Sequence, residues 1–339
     1  MAHSKIAPNL VATDVNNRFV SDADKDNWNL KFRTGYNYLI NGNFDFWQRA
    51  DGQTTNGCGS DDRWFNQHTG SSKTVSKQAF TVGELFPDGT PCPKYYSRTV
   101  VASVVGATNN TIKQQRIEAV HTLAGKKAVL SFWAKANATK NIAIEFLQYF
   151  GAGGTPSSIV YITPQKITLT TVWQKFVIFV DIPAITGKVL GTSNTDILQV
   201  NFWFDSGSTF NGRNDSLGHQ SGTFDIAQVS LVEGEKDIAP IPRSIGEELE
   251  LCLRYFEILP LCGVIGYAPA NGPYVGNFIN FTVKKRVDPV ITVGTTFENT
   301  NLSASYLNGI SANGFRYYGV ANAAGQVVLT RPVYIDAEL

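Results

Sequence analysis

KKAVLSFWAKA at residues 126–136 and DILQVNFWFD at residues 196–205 each divide into two chemically distinct sets when every second side chain is taken. In the first, Ala128, Leu130, Phe132 and Ala134 are uniformly apolar, while Ser131, Trp133 and Lys135 mix polar and aromatic character. In the second, Val200, Phe202 and Phe204 oppose Gln199, Asn201, Trp203 and Asp205. Successive side chains of a strand point to opposite faces, so both stretches read as strands of a sheet with one face on a core.

Working outward, similar strand-length runs rich in Val, Ile, Phe, Tyr, Trp and Thr follow one another between residues 39 and 233, broken by Gly, Asn, Pro and Ser clusters. The clearest others are LINGNFDFWQ (39–48), KYYSRTVVASVV (94–105), TIKQQRIEAV (111–120), NIAIEFLQYF (141–150), VWQKFVIFVDI (172–182) and GTFDIAQVSLV (222–232). No 10–15-residue helical pattern separates them. The expected fold class is therefore mostly β, an antiparallel jelly-roll sandwich over residues 39–238.

A helix is expected next, opened by Pro242 and the capping box Ser244-Ile-Gly-Glu247. Ile245, Leu249, Cys252, Leu253 and Phe256 share one stripe at helical spacing, while Glu247, Glu248 and Glu250 are assigned to water or a partner. This linker helix (239–260) joins the sandwich to a smaller C-terminal β-sandwich (261–339), in which Asn308-Gly309 and Asn313-Gly314 are hairpin dipeptides. Residues 1–38 are polar apart from a cap-like Ser21-Asp-Ala-Asp24 ahead of Trp28 and Phe32, and read as a short N-terminal arm that docks on something else. No fixed-period repeat is present.

Composition excludes several classes. Charged residues make up 17% of the 339 and aromatics 12%, with a formal net charge of +1 and 29 scattered Lys and Arg, so neither nucleic acid nor an anionic membrane surface is an expected partner. No apolar run approaches the ~20 residues of a membrane span, nor does the start resemble a signal peptide, so folding in a cytosol is expected. Cys58, Cys92, Cys252 and Cys262 are too few and dispersed for a disulfide framework and are expected as free thiols. Four histidines without ligand or triad spacing, and acids paired only as sequence neighbours, give no catalytic constellation, and no enzyme is expected.

Trp133 and Trp203 fall in the polar phase of their strands, the latter with Asn201 and Asp205, and Glu145 and Tyr149 join these candidate ligand residues if residues 141–150 share the sheet. Aromatic planes amid amides and carboxylates suit sugars, whose C–H faces stack while their hydroxyls take hydrogen bonds. Cover by a sister subunit or a loop is the alternative at these positions. In the C-terminal part, Arg316 and Tyr317 of Gly314-Phe-Arg-Tyr-Tyr-Gly319 are candidate ligand residues beside a hairpin turn, although about half of these aromatics should alternate into the core.

Several strings taken in order carry a resemblance: Leu39-Ile-Asn-Gly-Asn-Phe-Asp-Phe-Trp-Gln-Arg49, Asp62-Arg-Trp64, Ser131-Phe-Trp-Ala-Lys135, Thr223–Leu231, Glu247–Glu257, Val283–Thr292 and Arg18–Trp28. As a set spanning most of the chain they resemble tail-fibre and tail-spike proteins of tailed phages that carry a carbohydrate-binding-module-like jelly roll. The resemblance implies a homotrimer in the virion, made in the host cytoplasm. It would be held to tail or baseplate proteins by its N-terminal arm and present β domains to host surface glycan. It further implies a structural calcium held by Asn43 and Asp45, near Asn41, with Asp225; turn formation is the competing role for these residues. A purely structural tail or collar component, and a polysaccharide depolymerase, are the rival functions.

Overall fold

The structure, a computed structural model, describes residues 35–339; the expected arm, with the Ser21–Asp24 cap, Trp28 and Phe32, lies almost entirely outside them. Two antiparallel sheets make the first unit. One runs β1 (Gly52–Gln53), β3 (Ser72–Ala79), β4 (Tyr95–Ala102), β11 (Gly222–Glu233), β6 (Lys127–Ala136) and β9 (Gln174–Asp181). The other runs β2 (Trp64–Thr69), β5 (Asn110–Glu118), β10 (Ile197–Ser206), β7 (Lys140–Tyr149) and β8 (Val160–Leu169). The jelly-roll sandwich expected from alternation is observed. Ala128, Leu130, Phe132 and Ala134 meet Leu198, Val200, Phe202 and Phe204 in one core. There Phe132 and Phe202 pack edge to face at 5.1 Å, and Trp64 packs on Phe202 at 6.0 Å.

Residues 39–48 differ from expectation: they form turns, not a strand. Asn41 and Phe44 take φ of 56° and 57°, in the left-handed region, which breaks any ladder. Gly42 lies so close to β11 that a Cβ there would sit 2.0 Å from the Val229 carbonyl oxygen. Val229 N–H instead donates to Gly42 O at 2.9 Å. Asn37 completes this contact where the β11–β6 pairing is interrupted, its amide donating to Val229 O while its oxygen accepts from Leu231 N–H.

The linker helix is shorter than its apolar stripe suggested. Helix α2 spans Ile245–Leu253 with the full Ser244/Glu247 capping box, after a single helical turn α1 (Asn211–Asn214) earlier in the chain. Within the helix only Cys252 of that stripe is buried and Ile245 is exposed, while Phe256, also buried, opens strand β12 (Phe256–Ala268). Glu248 is not on a water face: it is half-buried and paired with Arg243 at 2.9 Å. The C-terminal unit sets β12, β18 (Gly325–Asp336) and β14 (Val290–Val293), with β15 (Glu298–Thr300) also on β18, against a sheet of β13 (Tyr274–Asn280), β17 (Gly314–Ala321) and β16 (Leu302–Ser311). Val264, Phe315, Tyr317, Leu329, Val333 and Ile335 form its core. The turn at Ala312–Asn313 joins β16 to β17, whereas Asn308-Gly309 marks an irregularity within β16.

Candidate functional site

Trp133 lies on the outer phase of β6, as alternation required, but it is only 3% exposed. The loop between β3 and β4 folds over it, closed by a bridge between Leu85 and Pro91, and lays Phe86 flat on the indole at 4.1 Å with 3° between planes. Phe80, Tyr96 and Trp173 complete this satellite core. Trp133 is therefore a packing residue, which corrects its assignment as a stacking surface.

The outer face of the five-stranded sheet gathers most of the other candidates. Glu145 and Asn201 are directly opposite one another in register, with Tyr149 and Trp203 on the same face. A short insertion after β10, comprising a 3-10 turn at Ser208–Phe210 and α1, covers one end. Phe210 packs on Trp203 at 5.2 Å, and Trp203 is completely buried. Glu145 is likewise inaccessible and accepts from Asn201 Nδ2 at 2.7 Å, Trp203 Nε1 at 3.0 Å, and Arg213 Nε and Nη2 at 2.7 and 2.9 Å. A buried carboxylate costs several kcal/mol unless its lone pairs are satisfied, so this set of donors is what permits Glu145 there. Asp205 is tied in the same way, accepting from Ser71, Ser103, Gln220 N–H and His219 between 2.6 and 3.0 Å. Trp203, Asn201 and Glu145 thus form a buried supporting floor, while Asp205 is buried in a separate network at the far end of β10, and none of the four offers a surface to a ligand.

What remains open beside that floor is a groove of about 430 Å3. Tyr149 from β7, Tyr161 from β8, Gln199 from β10, Arg116 from β5 and Arg213 from α1 line it. Arg213 sits over the Tyr161 ring at 4.4 Å while its other edge holds Glu145, so one buried acid fixes both the guanidinium and the ring beside it. Gln199 is oriented by Asn201, whose oxygen accepts its amide at 2.7 Å. Of the sequence candidates, only Tyr149 lines the groove itself. Tyr161 and Arg213 were missed: the first lies on a strand whose alternation is clear in VYITPQKITL, the second in turn-like text, NGRNDSLG.

The expected metal residues are not brought together. Asn43 and Asp45 line a separate cleft of about 530 Å3 between the irregular β6–β11 pairing and the segment entering α2, along with Gln228, Lys175, Arg243 and Glu248. Burial first, then the neighbouring Glu248 carboxylate, pushes the Asp45 carboxyl above its ordinary range. Asp225 lies elsewhere on β11, gripped by Arg98 at 2.7 and 2.9 Å with Lys135 at 3.9 Å. A carboxylate already neutralised by two cations is a poor calcium ligand, and among the described residues no cluster of three or more His, Cys, Asp and Glu could hold a metal. All four cysteines are free, and burial pushes the thiols of Cys92 and Cys262 up to about 11. In the C-terminal unit Tyr317 is buried, which removes it from any surface, while Arg316 and Tyr318 point the other way.

No protein-family model matches the chain, and no curated protein matches it significantly. Solved structures similar to it include a family 4 carbohydrate-binding module, 17% identical with a TM-score of 0.34 over 57% of this chain and 98% of the module. A family 11 carbohydrate-binding module from Clostridium thermocellum, in complex with a β-1,3-1,4-mixed-linked tetrasaccharide, is 13% identical with a TM-score of 0.30, over 57% of this chain and 98% of the module. The enzymatically active domain of tailspike protein 4 from bacteriophage CBA120 is 14% identical with a TM-score of 0.33, over 58% of this chain and 21% of the tailspike chain.

Proposed function

We propose that this chain is a non-enzymatic structural and receptor-binding subunit of a phage tail, which binds host surface glycan in the groove on its five-stranded sheet. The observation that carries glycan binding is the pair Tyr149 and Tyr161 set beside Arg213, Arg116 and Gln199, with Arg213 and Gln199 each held from behind. Rings offer stacking planes, the guanidinium and amide groups offer hydroxyl partners, and prior fixation spares ordering entropy on binding. Assignment to a tail, to a homotrimer and to the virion rests on the ordered sequence resemblance. The non-enzymatic reading is supported by the groove lining, which includes no Asp or Glu side chain to serve as one of the two carboxylates that glycoside hydrolysis uses.

The test incubates the purified full chain with host surface polysaccharide and measures binding and reducing-end release together, with light scattering for mass. Binding without release, in a particle of three chains, is the expected result. Release of reducing ends makes the protein a depolymerase, and absence of any binding makes it a purely structural component. Tyr161 is 48% exposed, so Tyr161→Ala should leave folding intact while weakening binding by about tenfold or more.

A further inference from the structure

Strand alternation in the C-terminal unit leaves a second aromatic surface that the sandwich groove does not involve. On β17 the residues Phe315 and Tyr317 enter the core, so Arg316 and Tyr318 lie on the outer face. Register places Phe278 opposite Arg316 on one side and Asn308 opposite it on the other, and brings Tyr306 opposite Tyr318. Across from Tyr318 on β13 stands Gly276, where a Cβ would fall 2.3 Å from that of Tyr318, so the absence of a side chain is what lets the ring lie close to the strand. Tyr318 then meets Tyr274 edge to face and Tyr306 in a stack, each at 5.5 Å. The result is a row of three tyrosines running across all three strands, flanked by Phe278. Tyr274 is 69% exposed, Phe278 56% and Tyr306 48%.

Charge decides what such a face can receive. Arg316 is the one charged side chain on it, lies over the Tyr318 ring at 5.5 Å, and enters no ion pair among the described residues. Each ring of the row carries a phenolic hydroxyl that calls for a hydrogen-bonding partner, which a purely apolar partner surface would leave unpaired. The ring-to-ring steps of 5.5 Å are comparable to a pyranose, and the exposure of Tyr274, Phe278 and Tyr306 leaves the row open along its length, which fits an extended polymer over a single small molecule. We propose that the outer face of β13, β17 and β16 is a second glycan-binding site, selective for acidic polysaccharide, with the tyrosine row stacking on sugar rings and Arg316 receiving a carboxylate. It is independent of the groove that carries the proposed function.

Affinity electrophoresis of the full chain through gels containing polygalacturonate, polysialate or dextran tests this. Retardation by at least one acidic polymer and not by dextran is expected, weakened by raised salt because the charge is exposed. Arg316→Gln should weaken that retardation about tenfold, since a charge-assisted pair is lost. Tyr306→Ala should weaken it as well, and the groove variant Tyr161→Ala should leave it unchanged. Failure of both acidic polymers to retard the protein overturns the proposal, as does retention of full retardation in Arg316→Gln. Loss of retardation in Tyr161→Ala alone would assign acidic glycan to the groove, leaving the proposed function standing and this one not. Dissociation of an oligomer by Tyr306→Ala, seen by light scattering, would assign the face to a second copy of the chain.

Discussion

At Trp203 the side chain keeps the phase that alternation gives it, yet reaches no solvent, because α1 and Phe210 close over it and its N–H is spent on Glu145. Alternation reports direction and says nothing of what covers a face, so the phase was legible and the exposure was not. Two measurements follow at this scale. Trp203→Phe keeps the apolar bulk and removes one donor from a buried carboxylate, an expected loss of about 1–3 kcal/mol in denaturant unfolding; Trp203→Ala adds a cavity and should cost ~3–5 kcal/mol. An unfolding midpoint unchanged in both would mean the indole is not packed as described. Asp62 gives a pH-dependent counterpart: burial outweighs its hydrogen bonds from Gln48 and carries its carboxyl up to about 6. Its folded value lies above its unfolded one, so the protonated acid stabilises the fold fully below about pH 4, and that contribution fades as pH rises through 6. Asp62→Asn, neutral at every pH, should match the parent in stability near pH 4 and exceed it at pH 7, by up to about 3 kcal/mol. A difference between the two proteins that stays constant with pH would refute the assignment.

Elements were legible where a strand carries a two-residue period and failed where single residues dictate the backbone. LINGNFDFWQ has strand composition, but the left-handed Asn41 and Phe44, and the approach of Gly42 to Val229, turn it into a clasp on β11. Text that reads as connecting loop, by contrast, supplies the covers: residues 80–92 over Trp133, and residues 208–214 with Arg213 over the five-stranded sheet. Short polar insertions have no period to betray which face they lie on, and for that reason the groove's Arg213 escaped sequence reading while Tyr149 did not. The first cover can be tested by itself. Phe86→Ala removes the ring stacked on Trp133, with an expected cost of about 3 kcal/mol and a red shift in tryptophan emission as water reaches the indole. Polysaccharide binding should persist, since the groove lies on the opposite sheet. Lost binding with unshifted emission would move the site to the loop.

Across the whole molecule, the two β units are fastened by charge at a partly buried seam. Arg63, whose side chain is 2% exposed, pairs with Glu338 and lies over the Tyr255 ring at 3.3 Å. Arg49 pairs with Asp336 at 3.1 Å and Glu338 at 3.4 Å and covers Phe256 at 3.6 Å. Arg254 grips Glu118 on β5 at 2.9 Å. Neither partner of these pairs announces the other in sequence, since Arg63 and Glu338 are separated by 275 positions and both lie just outside strands, Arg63 before β2 and Glu338 after β18. Burial of both partners separates the Arg63–Glu338 and Arg49–Glu338 pairs energetically from surface pairs such as Lys126 with Glu233 and from the half-exposed Arg254–Glu118, where both groups keep much of their hydration. Removing one member of a buried pair leaves the other desolvated and unpaired, a cost of about 3–5 kcal/mol. Glu338→Ala should therefore lower the unfolding temperature substantially, and because Glu338 serves two arginines from the sandwich, it should also uncouple the units, so that one calorimetric transition becomes two. Glu233→Ala should leave the trace close to that of the parent. Salt discriminates further: 1 M NaCl screens exposed pairs but reaches buried ones little, so the parent's transition should remain single in high salt. A Glu338→Ala trace superimposable on the parent's would show that apolar packing around Tyr255 and Phe256, and not the ion pairs, holds the two units together.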